Sequence, residues 1–242
     1  MPFVQSFRLT DDIVLCKERA VYLEGLNTCV VSDLHIGLEE GVLGAPVDIQ
    51  SDDILKRLDD LIKRYKPEQL VINGDFKHTF SSNIDEEWIG GARILEYLTG
   101  MVKVYIIRGN HDNFLSSIAN RCGVELKDTF SLGGYVFAHG HRELPGRKTG
   151  EVYILGHEHP AVKLRDKVGG YVKIPVFVWR KGDFLVLPAF SSWTYGHDLS
   201  DGEVLVKSLT FDEFLDSRVI GCTDYGLLDL SRLKDLMKAG RL

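Results

Sequence analysis

The sequence predicts an α/β protein in which two β-sheets lie face to face with helices on their outer sides, and three observations carry that prediction. First, residues 28–108 alternate strand-like apolar runs with amphipathic helical patterns, the sign of a parallel sheet with right-handed crossovers. Second, after residue 124 the pattern changes to closely spaced short strands, which a second, antiparallel or mixed sheet would collect. Third, five strand-like runs end in short polar stretches rich in Asp, Asn and His, so the chemistry gathers on one rim. A chain of 242 residues with 44% hydrophobic residues can bury such a core, and 1–242 reads as a single domain.

Residues 3–26 read as short antiparallel strands, with Phe7, Leu9, Ile13, Leu15, Val21, Tyr22 and Leu23 pointing inward. Residues 28–32 are β-branched and apolar, as a buried strand requires. The stretch 37–50, with its glycines and Pro46, reads as a loop over the rim. Ser51 is placed as the N-cap of a helix over 51–65, whose apolar face is Ile54, Leu55, Leu58, Leu61, Ile62 and Tyr65, and Pro67 stops it. A strand at 70–73 follows. Asp85 then caps a helix carrying Trp88, Ile89, Ala92, Leu95 and Leu98 and ending at Gly100. Next come a strand at 104–107 and a short helix over 113–121. Further strands are expected at 124–126, 135–138, 152–155, 176–178, 184–187 and 204–206, and helices at 211–215 and 227–238.

The composition excludes several classes. A net charge of −6 gives no global field toward nucleic acid or an anionic membrane, so a nucleic-acid ligand would need a local patch. The cysteines at 16, 29, 122 and 222 lack CxxC spacing, which argues against a zinc knuckle or a disulfide framework. No secretory leader, apolar run of transmembrane length or lipidation motif is evident, so a cytoplasmic location without a membrane partner is expected.

The polar stretches are Asp33-Leu34-His35, Gly74-Asp75, Gly109-Asn110-His111-Asp112, His139-Gly140-His141 and Gly156-His157-Glu158-His159. Together they supply the carboxylates, imidazoles and neutral carbonyl oxygen that two hard or borderline divalent ions need, as in a phosphoester-cleaving site. Asp33 and His35 alternate along a strand end and suit the first metal, to which His159 returns. Asp75 is the natural bridging carboxylate, and Gly74 lets the backbone pass close to the ions. Asn110 gives a neutral carbonyl oxygen to the second metal, and His139 and His157 complete its ligand set. His111 is kept out of the ligand set as a general acid, with Asp112 expected to hydrogen-bond its ring. A metal-bound hydroxide would be the nucleophile, with no covalent enzyme intermediate.

In this order and spacing the motifs resemble the calcineurin-like metallophosphoesterase superfamily over residues 29–160. The resemblance implies a four-layer αββα sandwich of two mixed sheets flanked by helices, with 161–242 supplying second-sheet strands and a C-terminal helix. It also implies two divalent ions, manganese first and iron, zinc, nickel or magnesium as alternatives, and hydrolysis of phosphomonoesters or phosphodiesters. In finer detail, Ala20-Val21-Tyr22-Leu23-Glu24, Asp33-Leu34-His35-Ile36-Gly37, Gly74-Asp75-Phe76-Lys77-His78, Gly156-His157-Glu158-His159-Pro160 and Leu187-Pro188-Ala189-Phe190 are similar to the small phosphoesterases associated with DNA ligases and helicases. That likeness implies a manganese-dependent DNA nuclease or phosphodiesterase with a helicase or ligase partner on another chain. The motif around Asp75 also resembles that of the SbcD-type nucleases, where the histidine corresponding to His78 lies near the DNA backbone.

Residues 142–181 hold nine basic against four acidic side chains, and Arg147 and Lys148 are candidate contacts for a phosphodiester such as single-stranded DNA. A solvated surface accounts for the same charges equally well. His78 stands between a substrate contact and a structural hydrogen bond, while Trp179, Trp193 and Tyr195 stand between base stacking and core packing. Three functions remain open: a DNA nuclease, a small-molecule phosphodiesterase acting on cyclic or modified nucleotides, and a protein-binding scaffold. The scaffold reading expects lost ligands, whereas Asp75, Asn110 and His111 are all present.

Overall fold

Alternation along each strand sorts its side chains between two faces, and in this protein that rule builds three apolar layers. The structure, a computed structural model, describes residues 3–39, 49–79, 85–144, 146–165 and 170–239. Its first sheet runs in chain order through β1 (Ser6–Arg8), β2 (Ile13–Cys16), β3 (Ala20–Leu23), β4 (Thr28–Val31), β5 (Gln69–Asn73), β6 (Lys103–Ile107) and β7 (Glu125–Lys127). Strands β1 to β4 pair antiparallel and β4 to β7 parallel, so the sheet is mixed. The parallel part needs crossovers, supplied by α1 (Ile49–Tyr65), α2 (Asp85–Thr99) and α3 (Leu115–Arg121).

The second sheet comprises β8 (Thr129–Leu132), β9 (Tyr135–Ala138), β10 (Val152–Leu155), β11 (Pro160–Arg165), β12 (Tyr171–Arg180), β13 (Phe184–Val186), β14 (His197–Asp198), β15 (Arg218–Thr223) and β16 (Gly226–Arg232). Its spine runs β14-β11-β12-β13-β10-β9-β8, with β15 paired to β12 and β16 to β15. Strand β12 is long enough to serve β11 with its first half and β13 and β15 with its second. Two helices, α4 (Phe211–Leu215) and α5 (Leu233–Lys238), lie outside this sheet. A full capping box, Thr210 with Glu213, starts α4.

On β4, β5 and β6, Val31, Ile72 and Ile106 face outward onto Ile54, Leu58, Leu95 and Leu98 of the helices. Val30, Val71, Tyr105 and Ile107 face inward, against Phe137, Ile154, Phe177 and Leu185 of the second sheet. The other face of that sheet sends Val136, Leu155, Val176 and Val178 onto Phe214 and Leu233. Helix, sheet, sheet, helix is thus the observed layering, as the sequence predicts. No described helix is long and apolar enough to cross a membrane.

Four expectations are corrected. Residues 227–232 are not helical, because they pair with β15 and only 233–238 coil; Leu227 is buried between the sheets, a tertiary pairing that overrides the local pattern. Residues 204–206 form no strand, since the amides of Leu205 and Val206 are instead taken by the Glu158 carboxylate. Ser51 lies inside α1, which already runs from Ile49. Ile89 is exposed while Ile94 is buried, because the inward face of α2 follows Gly91, Ile94, Leu95 and Leu98. Of the loop expected at 37–50, residues 40–48 lie outside the described residues, and Gln50 donates through Nε2 to the carbonyls of Leu34 and His35.

Candidate metal centre

The C-terminal ends of β4, β5, β6, β9 and β10 each hand the chain to one of the polar stretches, which therefore meet on one rim. Beyond β4 and β5 the two chains stay side by side: Asp33 N–H donates to the Gly74 carbonyl, His35 to Asp75 and Ile36 to Phe76. Asp33 and His35 are not extended, as alternation along a strand would have them. Asp33, His35, Asp75, His157 and His159 all hold left-handed backbone, with φ between +46° and +66°. Each such residue costs on the order of 1–2 kcal/mol, so the surrounding hydrogen bonds must hold the rim in shape.

Two glycines are dictated by close approach. A Cβ on Gly74 would stand 2.1 Å from His139 Nδ1, and one on Gly156 would stand 1.9 Å from Ser32 Oγ. The neighbour that Gly74 admits is the His139 ring.

Potential ligand atoms fall into three groups: Asp33, His35, Asp75 and His159 in the first, Asp75, His139 and His157 in the second, which share Asp75, and His35, His78 and His111 in a third, which shares His35 with the first. Asp75 Oδ2 lies 3.8 Å from His35 Nε2 on one side and 3.2 Å from His139 Nε2 on the other. Asn110 Oδ1 joins the second group at 3.3 Å from His139 Nε2. In the first group the Nε2 atoms of His35 and His159 face each other at 3.1 Å, with Asp33 Oδ1 3.0 Å from His159 Nε2. Two opposed imidazole nitrogens flanked by buried carboxylates form a donor set that a divalent cation satisfies. The residues present therefore fit a two-ion centre.

The supporting contacts fix ring orientation. His139 Nδ1 lies 3.0 Å from the Asn73 carbonyl, which turns Nε2 toward Asp75 and Asn110. Asn73 itself, the last residue of β5, donates through Nδ2 to the carbonyls of Ala138 and Ile154 and so ties the two sheets together beneath the rim. Asp33 accepts from the Ser32 hydroxyl at 2.6 Å and from the His157 amide. Fully buried Glu158 accepts from His197 Nδ1 at 2.6 Å and from the amides of Leu205 and Val206, bracing the turn that carries both His157 and His159.

Burial pushes His35 down to about 3 and, with the neighbouring His139, takes His157 to about 4, so both rings are neutral and ready to ligate. His139 is the opposite case: burial opposes its charge, but Asp33 and Asp75 more than reverse this and raise it to about 9. The metal-free centre therefore stores a proton on His139 at neutral pH, and a metal must displace it. We expect loading with Mn2+ at pH 7.5 to release at least about one proton, with affinity rising with pH up to about 9. Calorimetry in two buffers of different ionisation enthalpy checks this; a heat independent of buffer would contradict it.

Three sequence-predicted residues are placed differently from expectation. Asp112 does not touch the His111 ring. Its buried carboxylate accepts from the amides of Phe76, Lys77 and Gly109, locking the Asp75 and Asn110 loops together, and burial together with the Asp75 charge pushes it up to about 6. The His111 ring is held instead through Nδ1 by the His78 carbonyl, while its Nε2 lies 3.9 Å from Asp75 Oδ2. Arg147 and Lys148 are carried away from the rim: β9 and β10 are parallel, so the chain between them returns to the opposite edge. There Arg147 pairs with Asp183 and Glu213, and the Lys148 amide donates to the Tyr153 hydroxyl. His78 does reach the site, its ring stacked 5.5 Å from that of His111. Trp179 is buried in the core, whereas Tyr195 is exposed.

Sequence reasoning passed over Asn73, Glu158 and Ser32, whose polar side chains are buried beside the ligands. The available signal was their position, since Ser32 and Asn73 directly precede a ligand motif and Glu158 lies inside one.

A phosphoesterase rim on an αββα sandwich, with two ligand groups sharing one carboxylate, defines a metal-dependent phosphoester hydrolase. The chain belongs to the calcineurin-like phosphoesterase family, which it matches over residues 26–215. Among solved structures it is similar to nuclease MPE of Pseudomonas putida, with a TM-score of 0.68 at 23% identity, covering 93% of this chain and 99% of that one. It is also similar to Yfce, a phosphoesterase from E. coli, with a TM-score of 0.42 at 16% identity, covering 86% and 93% respectively. No curated protein matches the sequence.

Proposed function

We propose that this chain is a two-metal phosphodiesterase that cleaves DNA and works with manganese. The observation that carries the phosphodiesterase reading is the Asp75 carboxylate common to both ligand groups, with the His111 ring beside it. Asp33, His35, Asp75 and His159 would hold one ion, and Asp75, Asn110, His139 and His157 the other. Bound there, the ions supply Lewis acidity and bring the pKa of water toward neutrality.

The chain's own residues do the rest. His111 donates Nδ1–H to the His78 carbonyl, which leaves Nε2 to carry a proton to the departing oxygen. His78, stacked on His111, steers the phosphodiester. The motif likenesses to ligase- and helicase-associated phosphoesterases, and a fold shared with a nuclease, support DNA as substrate and a helicase or ligase as partner.

A small nucleotide diester is the second reading, favoured by the net charge of −6. The deciding experiment is manganese-dependent cleavage of covalently closed single-stranded DNA, run beside His111→Ala. Cleavage by wild type alone supports a DNA endonuclease. No cleavage, with bis-p-nitrophenyl phosphate still hydrolysed, leaves the small diester.

A further inference from the structure

A cavity of about 150 Å3 opens beside the second ligand group, lined by Arg108, Asp128, Thr129, His139, His141 and Arg142 among others. His139 lines this cavity and also belongs to the group it forms with Asp75 and His157, so the cavity adjoins the candidate centre. The volume is below the roughly 300 Å3 at which pockets begin to enclose a whole small molecule. It suits a single phosphate group.

The charges point the same way. Two guanidiniums converge on one carboxylate: Arg108 Nε lies 3.5 Å and Arg142 Nη1 3.6 Å from Asp128 Oδ1. Both distances exceed the 2.7–2.9 Å or so of a strong charge-assisted bond, and all three side chains are open to solvent. The other acidic lining residue, Glu143, is turned to the Ser208 hydroxyl at 3.0 Å. By contrast, Arg147 farther along is held by Asp183 and Glu213, and Lys163 by Asp198. Arg142 stays at the rim because it comes only three residues after His139, before the chain turns back toward β10.

We propose that Arg108 and Arg142 bind the backbone phosphate next to the scissile one, so that the centre works on a nucleic-acid strand in preference to a lone diester. This rests on the DNA-cleaving reading above. Guanidiniums suit the task because they meet phosphate oxygens with paired N–H donors. Asp128 occupies them when no strand is bound.

The test uses Arg142→Ala, Arg108→Ala, their combination and Asp128→Ala, on a short oligodeoxynucleotide and on bis-p-nitrophenyl phosphate, which has no neighbouring phosphate. We expect the double variant to raise KM for the oligonucleotide about tenfold, and to move KM for the small diester less than about twofold. The dependence of log kcat/KM on log salt should become shallower by about 0.7 per lost contact. Asp128→Ala should lower KM for the oligonucleotide. Equal shifts on both substrates, or an unchanged salt slope, would overturn the subsite alone. Wild type that hydrolyses the small diester but not the oligonucleotide would overturn the DNA reading before any variant is measured.

Discussion

Asp75→Asn is expected to lose metal from both positions, leaving less than about one ion per chain, and to lower turnover at least about a thousandfold. One carboxylate belongs to both ligand groups, with Oδ2 between His35 Nε2 at 3.8 Å and His139 Nε2 at 3.2 Å. Loss of charge there weakens both ions at once, and metal stabilisation of the developing charge is worth several kcal/mol, at 1.36 kcal/mol per decade of rate. The side chain is nearly isosteric, and Oδ1 accepts the His111 amide at 2.9 Å, a bond the amide oxygen of Asn can still accept. Folding should therefore survive, as circular dichroism would show. Metal analysis that returns two ions per chain would remove Asp75 as the shared ligand.

The gathering of the candidate ligands was legible because each closes an apolar strand with a polar motif, and strand ends converge whatever the details of the loops. The parallel half of the first sheet was legible for a related reason: β4, α1, β5, α2 and β6 each carry a strong local period. The second sheet was read less well. Strands β11 and β15 were missed and 227–232 was given to a helix, because their pairing is fixed by β12 and by contacts across the sandwich rather than by local pattern.

The supporting contacts were the least visible. Asp112 follows His111 in sequence, and adjacency suggested a contact that the structure gives to the His78 carbonyl instead. Neighbours along a chain in irregular backbone need not point the same way. Likewise, Arg147 and Lys148 fell within a basic run, but only the parallel pairing of β9 and β10 reveals that the run crosses from the rim to the opposite edge.

His111→Ala is expected to keep both ions and to lose about 10²- to 10⁴-fold in turnover on a diester with a poor leaving group, the range that general acid catalysis supplies. The ring is in neither group that contains Asp75, standing instead with His35 and His78, and its Nδ1 is tied to the His78 carbonyl, itself held where the His78 amide meets the Ile36 carbonyl at 2.9 Å. That bond fixes the tautomer, so Nε2 is the atom left to face the site, 3.9 Å from Asp75 Oδ2. A p-nitrophenolate leaves without help, so bis-p-nitrophenyl phosphate should lose far less than an alkyl diester or DNA. The variant should thus depend more steeply than wild type on leaving-group pKa. Equal losses on good and poor leaving groups, with metal content intact, would make His111 a group that positions substrate and would leave protonation of the departing oxygen to another donor.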